Sequence, residues 1–139
     1  MADTSNAKIF INLPVADLPK STAFYKGLGF TFNPQFSDNT GGCMVISEHN
    51  YVMLLTHEKF KGFSDAALPD AKATTGLMVA LQLNSKADVD DMMMAVLAQG
   101  GGEPRPVIDM GFMYNLTFSD PDGHRWEPFF MDMSHMPKQ

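Results

Sequence analysis

Cationic side chains are scarce in this chain of 139 residues: ten Lys and Arg stand against sixteen Asp and Glu, a formal net charge of −6. Nucleic acid and anionic membrane surfaces both demand a concentrated positive face, so neither is expected as the main partner. Cysteine is nearly absent as well. The single thiol, Cys43, has no second cysteine for an internal disulfide, and its setting, GGCMVIS, reads as a strand start, where a small packed side chain is expected rather than a nucleophile. No apolar run approaches the ~20 residues that a membrane helix needs. The first residues, MADTSNAK, carry no apolar signal-peptide segment, and the expectation is a cytoplasmic protein. Catalytic signatures are missing too: no Gly-x-Ser-x-Gly elbow, no phosphate-binding glycine loop after a strand and no His-Glu-x-x-His helix.

What is present is an ordinary globular composition, 45% apolar and 19% charged, in a length that suits one domain burying roughly two-thirds of its unfolded surface. Residues 9–15 alternate around Asn12 as a strand. Asp17 follows as a helix N-cap, with Pro19 in the first turn and Gly27 and Gly29 marking the end. Residues 30–36, 43–47 and 51–56 are three further β candidates. The same grammar then returns. Residues 77–83 alternate, and Ser85 with Asp88 resembles a capping box. Val89, Met92, Met93, Val96 and Leu97 form a helical stripe that Gly100, Gly101 and Gly102 stop. Residues 104–109, 112–119 and 125–131 are the second set of β candidates. The predicted class is α+β: a single domain over 1–139 of two βαβββ modules, about 8–57 and 77–132, joined by a linker at 58–76. Helices cover one face of each module, leaving Phe10, Asn12, Met78, Ala80 and Gln82 on the other. If the two uncovered faces unite, they line a cavity.

Twelve methionines are unusual at this length; Met92, Met93 and Met94 read as helix packing. Of the four histidines, His49, His124 and His135 fall in turns or the tail, and His57, at a strand end, is the best functional imidazole. The most informative stretch is SDPDGHRWEPFFMD. Its DPDG turn leads into an apolar strand carrying Glu127, with Arg125 two residues away on the same face. A carboxylate taken out of water needs a cation, a metal or a hydrogen-bond donor. Two readings stay open: a structural Arg125–Glu127 pair, or a ligand-pocket carboxylate. Tyr114, on a strand of the second module, offers a phenol to a ligand or packs in the core.

The runs VADLPKSTAFYKGLGF and DPDGHRWE strongly resemble the vicinal oxygen chelate superfamily, which includes glyoxalase I, bleomycin-resistance proteins and extradiol dioxygenases. The resemblance covers nearly the whole chain. It implies paired βαβββ modules whose curved mixed sheets form a cavity, usually in a homodimer. In metal-dependent relatives, the first and last strands of each module donate one metal ligand apiece. Carried over by motif, those positions are Phe10, Leu54 (in the run LLTH), Met78 and Glu127. Three are apolar, and a divalent ion wants oxygen or imidazole donors. A metal cofactor is therefore disfavoured, and no residue is assigned as a metal ligand. The expected function is binding of a small apolar or aromatic molecule, lined by Phe10, Asn12, Leu54, Met78, Gln82, Tyr114, Arg125 and Glu127. The alternative is a lyase, isomerase or dioxygenase-type enzyme using Glu127 as base or metal ligand. A third reading is a remnant whose cavity is closed by bulky side chains.

Overall fold

The computed structural model describes residues 1–102 and 105–135. The chain divides into two compact units, Met1–Pro69 and Asp70–Gln139. In the first unit, strand β1 (Ile9–Val15) leads into helix α1 (Leu18–Gly27). Three strands follow, β2 (Thr31–Phe32), β3 (Gly41–Ser47) and β4 (Asn50–Thr56). They form one sheet in the order β1-β4-β3-β2, in which β1 and β4 are parallel and the other pairs antiparallel. The Asp17 carboxylate caps α1 by accepting from the Lys20 N–H at 3.0 Å. At the other end Gly29 takes φ +101°, a left-handed turn that lets the Phe30 N–H reach back to the Tyr25 carbonyl.

Period-two alternation decides what each strand buries. Leu13, Val15, Val52 and Leu54 are almost wholly excluded from solvent. A Cβ placed on Gly42, which pairs with Leu54, would meet Leu18 at 3.8 Å and the Phe32 ring at 3.1 Å. This is therefore the face that α1 covers.

In the second unit, β5 (Met78–Gln82), α3 (Lys86–Ala98), β6 (Ile108–Asp109), β7 (Met113–Asn115), β8 (Phe118–Ser119) and β9 (Arg125–Met131) follow the same plan. Their sheet runs β5-β9-β7-β6, with β8 also paired to β9, and β5 is parallel to β9. Ser85 caps α3 by accepting from the Asp88 N–H at 3.0 Å. Val89, Met93 and Val96 are buried, as are Phe118 and Trp126, whose rings stack at 6.0 Å. The Tyr114 hydroxyl donates to the Asp90 carboxylate of α3 at 2.6 Å, which identifies the helix-covered face.

Several sequence expectations are corrected. The strand expected over 30–36 stops at Phe32, because Pro34 has no N–H for a ladder and Asn33 caps a 3-10 turn over Pro34–Phe36. The expected linker begins with a short helix α2 (His57–Lys61), whose N-cap Thr56 accepts from the Lys59 N–H; His57 opens this helix rather than ending a strand. The strand expected over 112–119 divides into β7 and β8. Only Ile108–Asp109 of the span 104–109 is a strand, and Pro104 lies outside the described residues. Leu97 leaves the expected helical stripe and is 53% exposed.

Candidate functional site

The register fixes which residues share the uncovered face of the second sheet. Met78 lies opposite Arg125, Ala80 opposite Glu127, and Gln82 opposite Phe129. On the far side of β9, Met113 pairs with Met131 and Asn115 with Phe129. Paired residues point the same way. Met78, Gln82, Arg125 and Glu127 therefore share one face, together with Ala80, Asn115, Phe129, Met113 and Met131. The alternation around Glu127 places Phe129 on this face; Asn115 was hidden because the residues around it spell one long strand where two short ones form. Ala80, opposite Glu127, contributes only a methyl group to this face.

Glu127 and Arg125 are half-buried, and no ion pair joins them. Lys86 pairs instead with Asp109, at 3.5 Å. The structural Arg–Glu pair allowed by the sequence is thus not formed. Arg125 Nε is buried without a hydrogen-bond partner, and no hydrogen bond to the Glu127 carboxylate occurs among the described residues. The buried Nε is a polar atom in want of a partner, and it shares its face with apolar side chains.

Tyr114 is a correction. It pairs with Phe130 on the α3-covered face, with its hydroxyl on Asp90 and the Lys86 ammonium 5.3 Å from its ring, so it faces away from Glu127. Its role is to tie β7 to the helix.

In the first sheet the uncovered face carries Phe10 stacked on Tyr51 at 4.7 Å, then Asn12 opposite Met53. Leu54 is the second correction. It is fully buried under α1, opposite Leu13 and one residue out of phase with Phe10 and Asn12. The helix caps align the modules: Asp17 follows Phe10 by seven residues, and Ser85 follows Met78 by seven. Phe10 then matches Met78, Asn12 matches Ala80, and Met53, not Leu54, matches Glu127. Cys43, opposite Met53, is buried, and burial pushes its thiol pKa up, which keeps it protonated and unreactive.

Comparisons with known proteins now bear on this plan. Residues 9–47 match the family described as bleomycin resistance protein-like N-terminal. A hypothetical protein from S. aureus is 30% identical over 88% of this chain and 92% of its own, with a TM-score of 0.76. The chain belongs to the vicinal oxygen chelate superfamily. Two further structures share the fold. A glyoxalase-related enzyme from Fulvimarina pelagi is 23% identical over 87% of this chain and 85% of its own, at a TM-score of 0.74. A glyoxalase/bleomycin resistance protein/dioxygenase family enzyme from Burkholderia phytofirmans PsJN is 15% identical over 88% and 96%, at 0.72. No curated protein matches the chain at significant similarity.

The metal that this superfamily implies finds a poor donor set here. The corresponding side chains, Phe10, Met53, Met78 and Glu127, offer one carboxylate, two thioethers and a phenyl ring. Among the described residues no three His, Cys, Asp or Glu side chains gather as a metal site. A hard or borderline divalent ion is not held by one carboxylate and thioethers. This vicinal oxygen chelate protein therefore keeps the fold with donors that do not fit the ion.

Proposed function

We propose that the chain binds a small apolar or aromatic molecule without a standard metal site, using the uncovered face of the second sheet. The observation that carries this reading is Arg125 Nε, buried without a hydrogen-bond partner on the same face as the Glu127 carboxylate, beside Met78, Ala80, Phe129 and Gln82. A ring lying on Met78 and Phe129 and offering a hydroxyl to Glu127 would satisfy both the apolar and the polar parts of this surface. The superfamily's homodimer belongs to the same reading, because β5 is a sheet edge that exposes Leu77 and Met78.

The carboxylate also favours a second reading. Among the described residues no donor bonds Glu127, which leaves it available as a general base toward an acidic C–H or O–H of the bound molecule.

The test uses 4-ethylphenol as probe with the full chain. Amide resonances of residues 78–82 and 125–131 should shift, and Glu127→Gln should weaken binding about tenfold, the size of a charge-assisted hydrogen bond. Shifts confined elsewhere, or unchanged binding in the variant, would refute the site. A stoichiometric divalent metal in the purified protein would refute the metal-free reading.

A further inference from the structure

A cleft of about 540 Å³ opens inside the first unit, between α1 and the connection from β2 to β3. It lies on the helix side of the sheet, the opposite face from Phe10 and Asn12. Its walls are Leu18, Pro19 and Ala23 of α1 facing Phe32 and Pro34. Gly42 makes the floor: a Cβ there would sit 3.1 Å from the Phe32 ring, so a side chain would require that ring to give by a few tenths of an ångström. The volume falls in the range of small-molecule pockets, and an apolar wall with few polar groups is the usual make-up of one.

The polar groups of the cleft divide into those already used and those left over. The Ser37 hydroxyl donates to the Asn33 carbonyl at 2.7 Å and accepts from the Cys43 N–H at 3.0 Å. Asp38 Oδ1 accepts from the Thr40 N–H, the Thr40 hydroxyl and the Gly41 N–H. These bonds hold the connection in shape. The Thr40 hydroxyl bond, followed by its backbone bond, lowers the Asp38 carboxyl below the usual carboxylate range, so it is ionised at neutral pH. Left over are the Thr22 hydroxyl, the Asn39 amide and the Lys26 ammonium. Lys26 has no acidic partner among the described residues; its charge rests 5.9 Å from the Phe32 ring centroid. An exposed cation on the rim of an apolar cleft, already over an aromatic ring, suits a flat ligand that ends in one negative charge. Asp38 on the same rim repels a second negative charge and can accept from a ligand hydroxyl.

We propose that this cleft is a second small-molecule site, taking a single-ring monocarboxylate whose carboxylate meets Lys26 and whose ring lies between Phe32, Pro34 and the α1 wall. The site is independent of Glu127.

The probes are 4-hydroxybenzoate and 4-hydroxybenzamide, which differ chiefly in charge, titrated into the full chain and followed by amide shifts. Perturbations should fall on residues 18–26 and 32–42. The acid should bind about three- to fivefold more tightly than the amide, the size of a solvent-exposed ion pair. Lys26→Met should remove that preference, whereas Lys20→Met, on the same helix outside the cleft, should keep it. Ala23→Phe, at an exposed position, should fill the cleft and abolish binding of both probes while amide dispersion stays native. Equal binding of acid and amide, a preference that survives Lys26→Met, unchanged binding by Ala23→Phe, or no shifts at millimolar probe would each overturn the proposal.

Discussion

On its uncovered face the first sheet stacks Phe10 on Tyr51 and sets Asn12 against Met53; at the matching places the second sheet sets Met78 against Arg125 and Ala80 against Glu127. The backbone plan is the same, parallel first and last strands under one capped helix. The outcome differs because the first sheet fills its face with rings and a thioether, whereas the second leaves a charge of each sign with no ion pair between them. Of the residues compared, the charged pair therefore lies on the second module's last strand, and the first module's counterparts are uncharged. What the first module does have is a cleft on its other side, under α1. A fold repeated within one chain thus need not repeat its functional surface, since the surface depends on side chains that the core does not constrain.

The sharpest way to break this comparison is to move the carboxylate. Met53→Glu places an acid at the first sheet's counterpart of Glu127, on a half-buried, uncovered position, and should cost on the order of 1 kcal/mol. Leu54→Glu, one residue on, drives an unpaired charge under α1 among Leu13, Val52 and Leu18, and should cost more than about 4 kcal/mol or prevent folding. Denaturant midpoints of the two variants measure the difference. Equal costs would mean that the β1–β4 register, and with it the matching of Met53 to Glu127, is wrong.

That one-residue distinction also shows how far the chain could be read without coordinates. Both helix caps, the span of β1 and the span of β9 were legible because capping and alternation are local signals. The Ser85, Asp17 and Asp120 side chains, the last accepting from the Asp122 N–H in its turn, act within a few residues of themselves. The placement of Leu54 was not legible: the run VMLL is apolar throughout, so period-two alternation has nothing to phase against, and the register comes from pairing with β1 forty residues away. Tyr114 was misplaced for the same reason, since its face is set by pairing with Phe130 and by the bond to Asp90 on another element. Asn115 joined the patch through a strand pairing that no local pattern announces. Met78, Gln82, Arg125 and Glu127 were found together because alternation survives in β5 and β9.

A milder test asks whether the two helices are anchored alike. Asp17→Ala and Ser85→Ala each leave an N-terminal N–H of α1 or α3 without its side-chain acceptor, and each should cost about 1 kcal/mol. The helices differ in length, ten residues against thirteen, yet a cap acts on the first turn alone. The costs should therefore agree within a few tenths, and a clearly larger loss at Asp17 would show that α1 depends on its cap more than α3 does.

The smallest effect concerns two exposed carboxylates, one in each unit, that are both held below the usual carboxylate range by different means. Asp38 is lowered first by the Thr40 hydroxyl and then by the Thr40 backbone, with Lys59 the last and weakest contributor. Asp109 is lowered first by the Gly111 N–H and next by the charge of Lys86. A carboxyl depressed in the folded state adds stability above its ordinary pKa and loses it as pH falls through the folded value, so both contributions disappear only on the acid side. They should respond differently to salt. Hydrogen bonds to neutral groups persist at high ionic strength, whereas the attraction between Lys86 and Asp109 is screened. Titration by NMR should therefore find that adding salt raises the pKa of Asp109 and moves that of Asp38 less. Lys86→Met should bring Asp109 part of the way back toward the ordinary value and no further, because the Gly111 bond remains. Full recovery in that variant would reverse the ranking of the two causes, and equal salt responses would erase the distinction between a carboxylate held by its own turn and one held by a helix across the sheet.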